Sequence, residues 1–230
     1  MRPDGRKNDE LRPMEMKVGV IKNATGSAYF KIGNTEVYAA VYGPKNIPKF
    51  LANQDRAIFR AKYNMVPFSV PERKRPGPSR REIELSLVLE YALSPAIILE
   101  DYPNTLIELY VEVTQADAGT RAAAITAGAL ALADAGIAMR DLVASVAVGR
   151  VNNELVLDLT KEEEDIEGTT DIPVAMMPRK KEFTLLQLDG NIKDEELLNA
   201  LDFVYKGIKQ IYDLQIKTLK ERYEKMKLEI

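Results

Sequence analysis

The residues best suited to chemistry lie at a predicted strand-to-helix junction, in the run Gly119-Thr120-Arg121. A β-rich segment, 105–114, precedes the junction, and a helix rich in Ala and Leu, 120–135, follows it. Gly119 permits close approach of a ligand to the backbone, Thr120 is a suitable N-cap, and Arg121 offers a planar charged group to phosphate oxygens. Because the free N–H groups of a helix start favour an anion, the pattern predicts a phosphate site. An ordinary capped helix with a surface Arg is the alternative.

A pair of arginines, Arg80 and Arg81, forms a second candidate site. Ser79 precedes them as the predicted N-cap of a helix over 79–93. A helix start holds its side chains in place, so we expect this pair to bind anions better than the basic, Pro-rich loop before it. That loop is either a solvated segment or an electrostatic site for a polyanion.

Two amphipathic elements surround these arginines. The segment 56–66 predicts a strand with a basic face that includes Arg60, while Tyr63 lies on the opposite face. The helix over 79–93 is expected to pack through three large side chains, Ile83, Leu87 and Tyr91.

Two carboxylates, Asp165 and Asp171, stand six positions apart in a predicted acidic loop. Two loop carboxylates are enough to hold one Mg²⁺ that keeps most of its water ligands. Gly168 gives the loop the freedom to turn both side chains inward. The alternative is a solvated acidic loop, which is the interpretation we adopt for residues 162–164.

The composition restricts the available chemistry, because the 230 residues include no Cys and no His. Cysteine nucleophiles, Cys or His metal sites, Ser-His-Asp triads and disulfides are therefore excluded. Catalysis has to use carboxylates, Lys, Arg, Tyr, hydroxyls, backbone dipoles or an oxygen-ligated metal.

Charge is unevenly distributed along the chain. Residues 1–100 carry 17 Lys and Arg against 11 Asp and Glu, whereas residues 101–230 carry 15 against 24. A basic half beside an acidic half fits a protein that holds an anion with one part and a cation with the other. It equally fits a protein whose halves meet oppositely charged partners. No apolar run is long enough to span a membrane and the N-terminus has no apolar signal core, so we expect a cytoplasmic protein without membrane contact.

The order of predicted elements indicates an α+β fold in one domain, 1–230. Residues 1–13 are expected to form an extended arm rather than a packed element, and 194–227 a long C-terminal helix. Between them we expect a mixed β-sheet with helices mainly on one face. The predicted strands are 14–22, 27–32, 35–42, 56–66, 105–114, 142–149, 154–159, 172–177 and 183–188.

Several segments together resemble the RNase PH family. They are RPDGRKNDELRP, GSAYFKIGNTEVYAAVYGP, PSRREIELS, QADAGTRAAAITAGALALADAGI, MRDLVASVAVG and DIPVAMMP, and they extend over nearly the whole chain. Within the family the resemblance is closest to the catalytic ring subunits of archaeal exosomes. It implies a fold of the ribosomal protein S5 domain 2 type. It also implies a hexameric ring of three heterodimers with a related, inactive subunit, joined by RNA-binding cap proteins.

The activity that the resemblance implies is 3′→5′ degradation of single-stranded RNA. Inorganic phosphate, the co-substrate, attacks the terminal phosphodiester and releases nucleoside diphosphates, and the reverse reaction adds tails to RNA.

The resemblance also implies roles for particular residues. Gly119, Thr120 and Arg121 match the family's phosphate-binding Gly-Ser-Arg turn, with Thr for Ser. Asp165 matches the essential acidic residue, and Asp171 a second carboxylate that would share Mg²⁺ with it. The predicted RNA-binding residues are Arg80, Arg81, Arg60 and Tyr63.

Three other functions are considered. A ring subunit that binds RNA without catalysis would not need Asp165, both arginines and the complete Gly119–Arg121 turn. RNase PH itself, a homohexamer that trims transfer RNA, would assemble without a partner, whereas DIPVAMMP and the long C-terminal helix favour the exosome subunit. A small-molecule kinase of the same broad fold would need a longer Gly/Ser-rich phosphate loop.

Overall fold

The structure, a computed structural model, describes residues 2–47 and 55–228, with side chains as far as residue 224. Two short 3₁₀ turns, Ser94–Ala96 and Leu99–Asp101, follow the first helix. The strands are β1 Met14–Val18, β2 Gly26–Ile32, β3 Thr35–Asn46, β4 Ile58–Met65, β5 Thr105–Gln115, β6 Ala144–Val151, β7 Glu154–Leu157, β8 Thr170–Met177 and β9 Glu182–Leu186. The helices are α1 Arg80–Leu93, α2 Thr120–Asp134, α3 Lys161–Glu164 and α4 Asp194–Leu228.

The strands form two sheets, and the larger one is mixed, as the sequence predicts. Its order is β1-β2-β3-β5-β4, with every pair antiparallel except β4 and β5, which are parallel. The second sheet, β7-β6-β8-β9, is antiparallel throughout. The α+β fold is therefore confirmed, with a second sheet in addition to the mixed one.

Helix α2 lies between the two sheets and packs against β2 and β3 on one side and β6 on the other. Such a position favours small side chains on all faces, which explains the run AAAITAGALAL, residues 122–132, all of it buried. A Cβ at Gly128 would stand 2.8 Å from a methyl carbon of Leu109, so a larger residue there would force that buried side chain to move. The site at the start of α2 is thus fixed by both halves of the fold.

Helix α1 begins as predicted, but it packs through a different face. Ser79 is its N-cap in a capping box with Glu82. Ile83, Leu87 and Tyr91, predicted to be buried, are exposed. The face that turns inward instead carries Leu85, Val88, Leu89, Ala92 and Leu93.

The orientation of α1 follows from its hydrogen bonds to the free edge of β4. The carboxylates of Glu82 and Glu90 accept from the N–H groups of Met65 and Ala61, at 3.1 and 3.0 Å. Between them the Ser86 hydroxyl accepts from the N–H of Tyr63 at 2.9 Å. Three polar residues at helical spacing thus satisfy alternate N–H groups of an edge strand. The apolar stripe of Ile83, Leu87 and Tyr91 consequently faces away from β4 and is exposed.

The N-terminal arm has no helix or strand, yet it is packed, which corrects the prediction of an unpacked arm. Arg2 and Arg12 are both buried. Arg2 donates to both carboxylate oxygens of Glu163 at 2.7 Å, and Arg12 pairs with Asp158. Buried charges have to be paired, so these ion pairs fix the arm to the second sheet and α3.

Within the described residues, no helix is long and apolar enough to cross a membrane.

Candidate active site

A pocket of about 550 Å³ lies where the start of α2 meets α3, β8 and the end of β4. Its lining combines small apolar residues with charged groups of both signs. The predicted site residues that line it are Gly119, Thr120, Arg121, Arg81 and Asp171.

The turn that leads into α2 holds two successive residues in the left-handed region. The φ angles are 58° at Ala118 and 64° at Gly119, and Gly119, not Thr120, is the N-cap. No side chain caps this helix start, so its first N–H groups remain open to an anion in the pocket. Thr120, which was predicted to be the N-cap, is therefore the first residue of the helix instead.

Thr120 is supported from beneath by Tyr63. The phenol of Tyr63 donates to the Thr120 hydroxyl at 3.0 Å, and burial raises the pKa of Tyr63 to about 12, so it stays protonated. Direct contact of Tyr63 with RNA is inconsistent with this burial, and we correct that prediction. The ring belongs to the packing under the helix start.

Arg121 faces the pocket with part of its guanidinium unsatisfied. Its Nη1 donates to the side-chain oxygen of Gln187 at 2.6 Å. Its Nε is buried and has no hydrogen-bond partner among the described atoms. An unpartnered buried donor on a charged group is costly, so this geometry suits an anion that binds in the pocket.

Asp171 is the predicted carboxylate that lies inside the pocket, and it belongs to β8 rather than to a loop. Burial raises the pKa of Asp171, and nearby Asp189 raises it further, while Arg121 and Arg81 act in the opposite direction. Its Oδ1 is buried without a hydrogen-bond partner in the described part of the chain. Glu164 lies beside it, and burial together with the charge of Asp171 raises the pKa of Glu164 too.

Asp165 lies at the rim of the pocket. Its side chain is 64% exposed and forms an ion pair with Lys161, which itself lines the pocket. Residues 161–164 form the short helix α3 instead of a loop, and Thr160 and Glu163 cap it. Asp165 and Asp171 are therefore close in sequence but differ sharply in environment.

The arginines predicted to bind RNA occupy three different positions. Arg81 lines the pocket, and Arg80, next to it, is exposed outside. Among the described side chains neither has an ion-pair partner, so both charges are available. Arg60 pairs with Glu90 at 3.5 Å and lies about 17 Å along β4 from the pocket-lining Met65. The structure does not bring Arg60 into the site.

The residues that could hold a metal are Asp171 and Glu164, together with phosphate oxygens. Within the described chain, no group of three or more carboxylates is arranged to bind a metal ion. Mg²⁺ is commonly bound through one or two carboxylates plus substrate phosphates and water, so the orphaned oxygen of Asp171 fits such an ion.

The residues that were not predicted as site residues include Glu164 and Lys161, which line the pocket, and Gln187, which accepts a hydrogen bond from Arg121. Glu164 belonged to the acidic run assigned to solvent, Lys161 was the first residue of the predicted acidic loop, and Gln187 had no signal in its predicted strand. A hydrophobic-periodicity argument does not detect any of them, because Lys161 and Glu164 lie in the four-residue helix α3 and Gln187 follows the end of β9.

Comparison with known families places this fold and its pocket among the 3′ exoribonucleases. Residues 10–138 match the RNase PH family described as 3′ exoribonuclease family, domain 1, and residues 141–207 match its domain 2. The chain belongs to the RNase PH family.

Individual relatives give a finer comparison. The chain is 56% identical to exosome complex component Rrp41 of Pyrococcus furiosus over its full length, which covers 92% of that protein. It is 52% identical to Rrp41 of Methanopyrus kandleri over 97% of this chain and 93% of the other. Among solved structures, rice Rrp46 superposes with a TM-score of 0.84 at 25% identity, covering 95% of this chain and all of the rice chain.

Proposed function

We propose that this chain is the catalytic subunit of an archaeal-type exosome, a 3′→5′ exoribonuclease that degrades RNA with inorganic phosphate and releases nucleoside diphosphates. The observation that carries the proposal is the pocket itself. An uncapped helix start and an unsatisfied Arg121 face two partly buried carboxyl groups, Asp171 and Glu164, whose pKa values are raised, across one cavity. Anion binding and proton transfer are therefore available side by side.

The reaction brings two anions together, so charge neutralisation and alignment are the main requirements. In this proposal, Arg121 and the N–H groups at the start of α2 hold the attacking phosphate. A phosphate oxygen forms a bond to the terminal phosphorus of the RNA, and the bond from that phosphorus to the 3′ oxygen of the preceding nucleotide breaks. The leaving oxygen takes a proton, and a nucleoside diphosphate departs. No covalent enzyme intermediate is needed.

The proton comes from the acidic side of the pocket. Burial raises the pKa of Asp171, which favours its protonated form, so Asp171 is one group that could supply this proton. Asp165, at the rim beside Lys161, is assigned to assist departure of the 3′ oxygen, as the family resemblance implies. Bound Mg²⁺ would add a positive charge that stabilises the developing negative charge, with Asp171 and Glu164 as the residues that would hold it.

The RNA approaches over Arg81 and Arg80. Contacts to phosphates carry no base identity, so we expect little sequence preference. Because both arginines lie at the start of α1, their positions are fixed by the capping box of Ser79 and Glu82. Cap proteins that bind RNA would then account for selection among substrates, and we propose that the activity is cytoplasmic.

An apolar surface next to the pocket supports assembly with an RNase PH-like partner in a hexameric ring. Ile83, Leu87 and Tyr91 expose a stripe along α1. Helix α1 adjoins β9, the edge strand of the second sheet, where Phe183 and Leu186 are exposed. An edge strand beside exposed large apolar side chains is a surface that another chain can cover. We call this surface the α1–β9 face.

Reversibility distinguishes this function from a hydrolytic or purely RNA-binding one. The assembled protein should shorten a labelled RNA in phosphate and lengthen it when given a nucleoside diphosphate. Arg121→Met should abolish both reactions, because they share one phosphate subsite. Shortening without any tailing would contradict the proposal. A homohexamer formed by this chain alone would favour the transfer-RNA-trimming alternative.

A further inference from the structure

We propose that the buried ion pair of Arg12 and Asp158 is a positioning device that sets the geometry of the Asp117–Gly119 turn and thereby the affinity for phosphate. This inference rests on the proposed function, because it assigns a role toward the phosphate subsite. Neither residue lines the main pocket, and each would act through the turn rather than by contact with substrate.

Arg12 binds Asp158 and the turn at the same time. Its Nε and backbone N–H donate to Oδ2 of Asp158, both at 2.9 Å, and its Nη2 donates to Oδ1 at 2.7 Å. The remaining Nη1 donates to the backbone carbonyl of Asp117, the first residue of the turn. The Arg12 side chain is only 4% exposed, so these bonds are made away from competing water.

The turn requires such support because its backbone is strained. Ala118 adopts φ 58°, in a region that non-glycine residues populate rarely, and such conformations persist only where the surroundings enforce them. Thr35 is the second support: its hydroxyl accepts from the N–H of Asp117 at 3.0 Å and donates to the carbonyl of Ala118 at 2.8 Å. The third is Asn34, which donates to the carboxylate of Asp117 at 3.1 Å.

Arg12 also lies directly against the phosphate-binding glycine. A Cβ placed on Gly119 would stand 3.2 Å from Nη2 of Arg12. Gly119 carries the N-cap position of α2, so a shift of the guanidinium displaces the N–H groups that face the anion. On the other side, Gly33 leaves room for the Arg12 stem, where a Cβ would approach to 2.4 Å. The N-terminal arm is therefore held between the β2–β3 hairpin at Gly33 and the Asp117–Gly119 turn.

The chain contains a matched control for this device. Glu163 is also a buried carboxylate that accepts two hydrogen bonds from an arm arginine, Arg2, at 2.7 Å each. The Glu163 carboxylate makes no contact with the Asp117–Gly119 turn among its described hydrogen bonds, which run to Arg2 and to the backbone N–H of Thr160. Loss of charge at Asp158 and at Glu163 should cost similar stability, but only the first should affect phosphate.

The experiment compares Asp158→Asn with Glu163→Gln in the chain assembled with its partner subunit. Asn suits the positive φ of 56° at position 158, so that variant keeps its backbone. Phosphate-dependent release of nucleoside diphosphate and thermal unfolding are measured for both. We expect Asp158→Asn to raise the KM for phosphate about tenfold, with kcat at saturating phosphate and RNA affinity nearly unchanged. Glu163→Gln should lower the unfolding temperature without changing that KM.

A second variant, Asn34→Ala, keeps the test decisive if Asp158→Asn fails to fold. Asn34 is exposed, so its removal loosens the turn without disturbing the core, and it should raise the KM for phosphate by a smaller factor at an unchanged unfolding temperature. Equal KM values in the turn variants, Glu163→Gln and wild type would overturn the inference and leave the proposed function standing. Wild-type degradation that ignores phosphate would overturn both.

Discussion

At the scale of single residues, the two aspartates of the site, Asp171 and Asp165, differ in how much their charge destabilises the folded protein. Asp171 is partly buried among charges of both signs, and Asp165 is exposed beside Lys161. When folding raises the pKa of a carboxyl group, the protein loses stability as the pH rises. The loss begins at the pKa of the group in the unfolded chain, about 3.9 for Asp, and is complete above its pKa in the folded protein. A negative charge at position 171 therefore destabilises the folded protein, in the place where chemistry requires a carboxyl group.

Asp171→Asn should make the protein more stable and less active. The gain is expected at pH 7, where Asp171 is ionised in the unfolded chain, and should shrink toward pH 4 because the folded state then binds the proton readily. Each 1 kcal/mol gained would raise the unfolding temperature by about 2–4 °C. Scanning calorimetry at both pH values tests this. A variant less stable than wild type at pH 7 would show that Asp171 is held by favourable contacts instead.

Asp165→Asn should lower kcat severely while RNA affinity and thermal stability stay near those of wild type. A loss of about 4 kcal/mol of transition-state stabilisation corresponds to roughly a thousandfold in rate. Single-turnover decay of labelled RNA, paired with a binding titration, measures both quantities. Glu167→Gln, an exposed change in the same loop, is the control. If Asp165→Asn degrades RNA at the wild-type rate, Asp171 alone would be assigned the role of assisting departure of the 3′ oxygen.

The two arginines at the start of α1 should act in binding rather than in chemistry. Arg80→Glu plus Arg81→Glu should weaken RNA binding across sequences and flatten its salt dependence, by about 0.7 in slope for each lost phosphate contact. Titrations at several salt concentrations test this. Lys209→Glu plus Lys220→Glu on α4 makes the same change in charge at exposed positions outside the pocket. Identical losses in both double variants would indicate a general charge effect.

Sequence reasoning located the charged residues but did not determine which of them face inward. Glu164 lines the pocket and Asp165 does not, although they are neighbours. Their side chains diverge because α3 ends between them, with Glu164 its last residue. That helix depends on the capping pair Thr160 and Glu163, and the arm holds Glu163 through Arg2. A local pattern cannot contain such a long-range contact.

At the scale of elements, α1 acts as a cover for the edge of β4. Its hydrophobic periodicity predicts burial of Ile83, Leu87 and Tyr91, but hydrogen bonding from Glu82, Ser86 and Glu90 to the strand selects another face. Strand positions were predicted well, because alternation and turn residues are local signals. The burial of α2 between two sheets was not predicted, because it depends on the positions of both sheets, which no local pattern contains.

Glu82→Gln should destabilise the protein most at neutral pH. Burial favours the protonated form, but bonds from Lys74, Ser79 and Met65 outweigh it and lower the pKa of Glu82 to about 2. Its stabilisation is therefore complete above the unfolded pKa and is lost as the pH falls toward 2. Hydrogen bonds to a charged group contribute about 1.5–3 kcal/mol. Urea unfolding at pH 7 and pH 4 should show a difference from wild type that narrows at the lower pH; a constant difference would contradict this.

At the scale of the whole molecule, the apolar α1–β9 face adjoins a site that works on RNA, so assembly and activity are expected to be linked. Leu87→Asp plus Tyr91→Asp should prevent association with the RNase PH-like partner and reduce activity, while the chain itself stays folded. Light scattering coupled to gel filtration measures the association. Leu198→Asp, at an exposed Leu on α4, is the control. A fully active, unassembled wild-type chain would contradict the link.

The central claim is that phosphate, and not water, attacks the RNA, and the identity of the product tests it most directly. The assembled protein is given a 3′-end-labelled RNA with and without inorganic phosphate, and the released nucleotide is separated by ion exchange. The account predicts nucleoside diphosphate when phosphate is present and almost no release without it. Release of nucleoside monophosphate at a rate independent of phosphate would contradict the account.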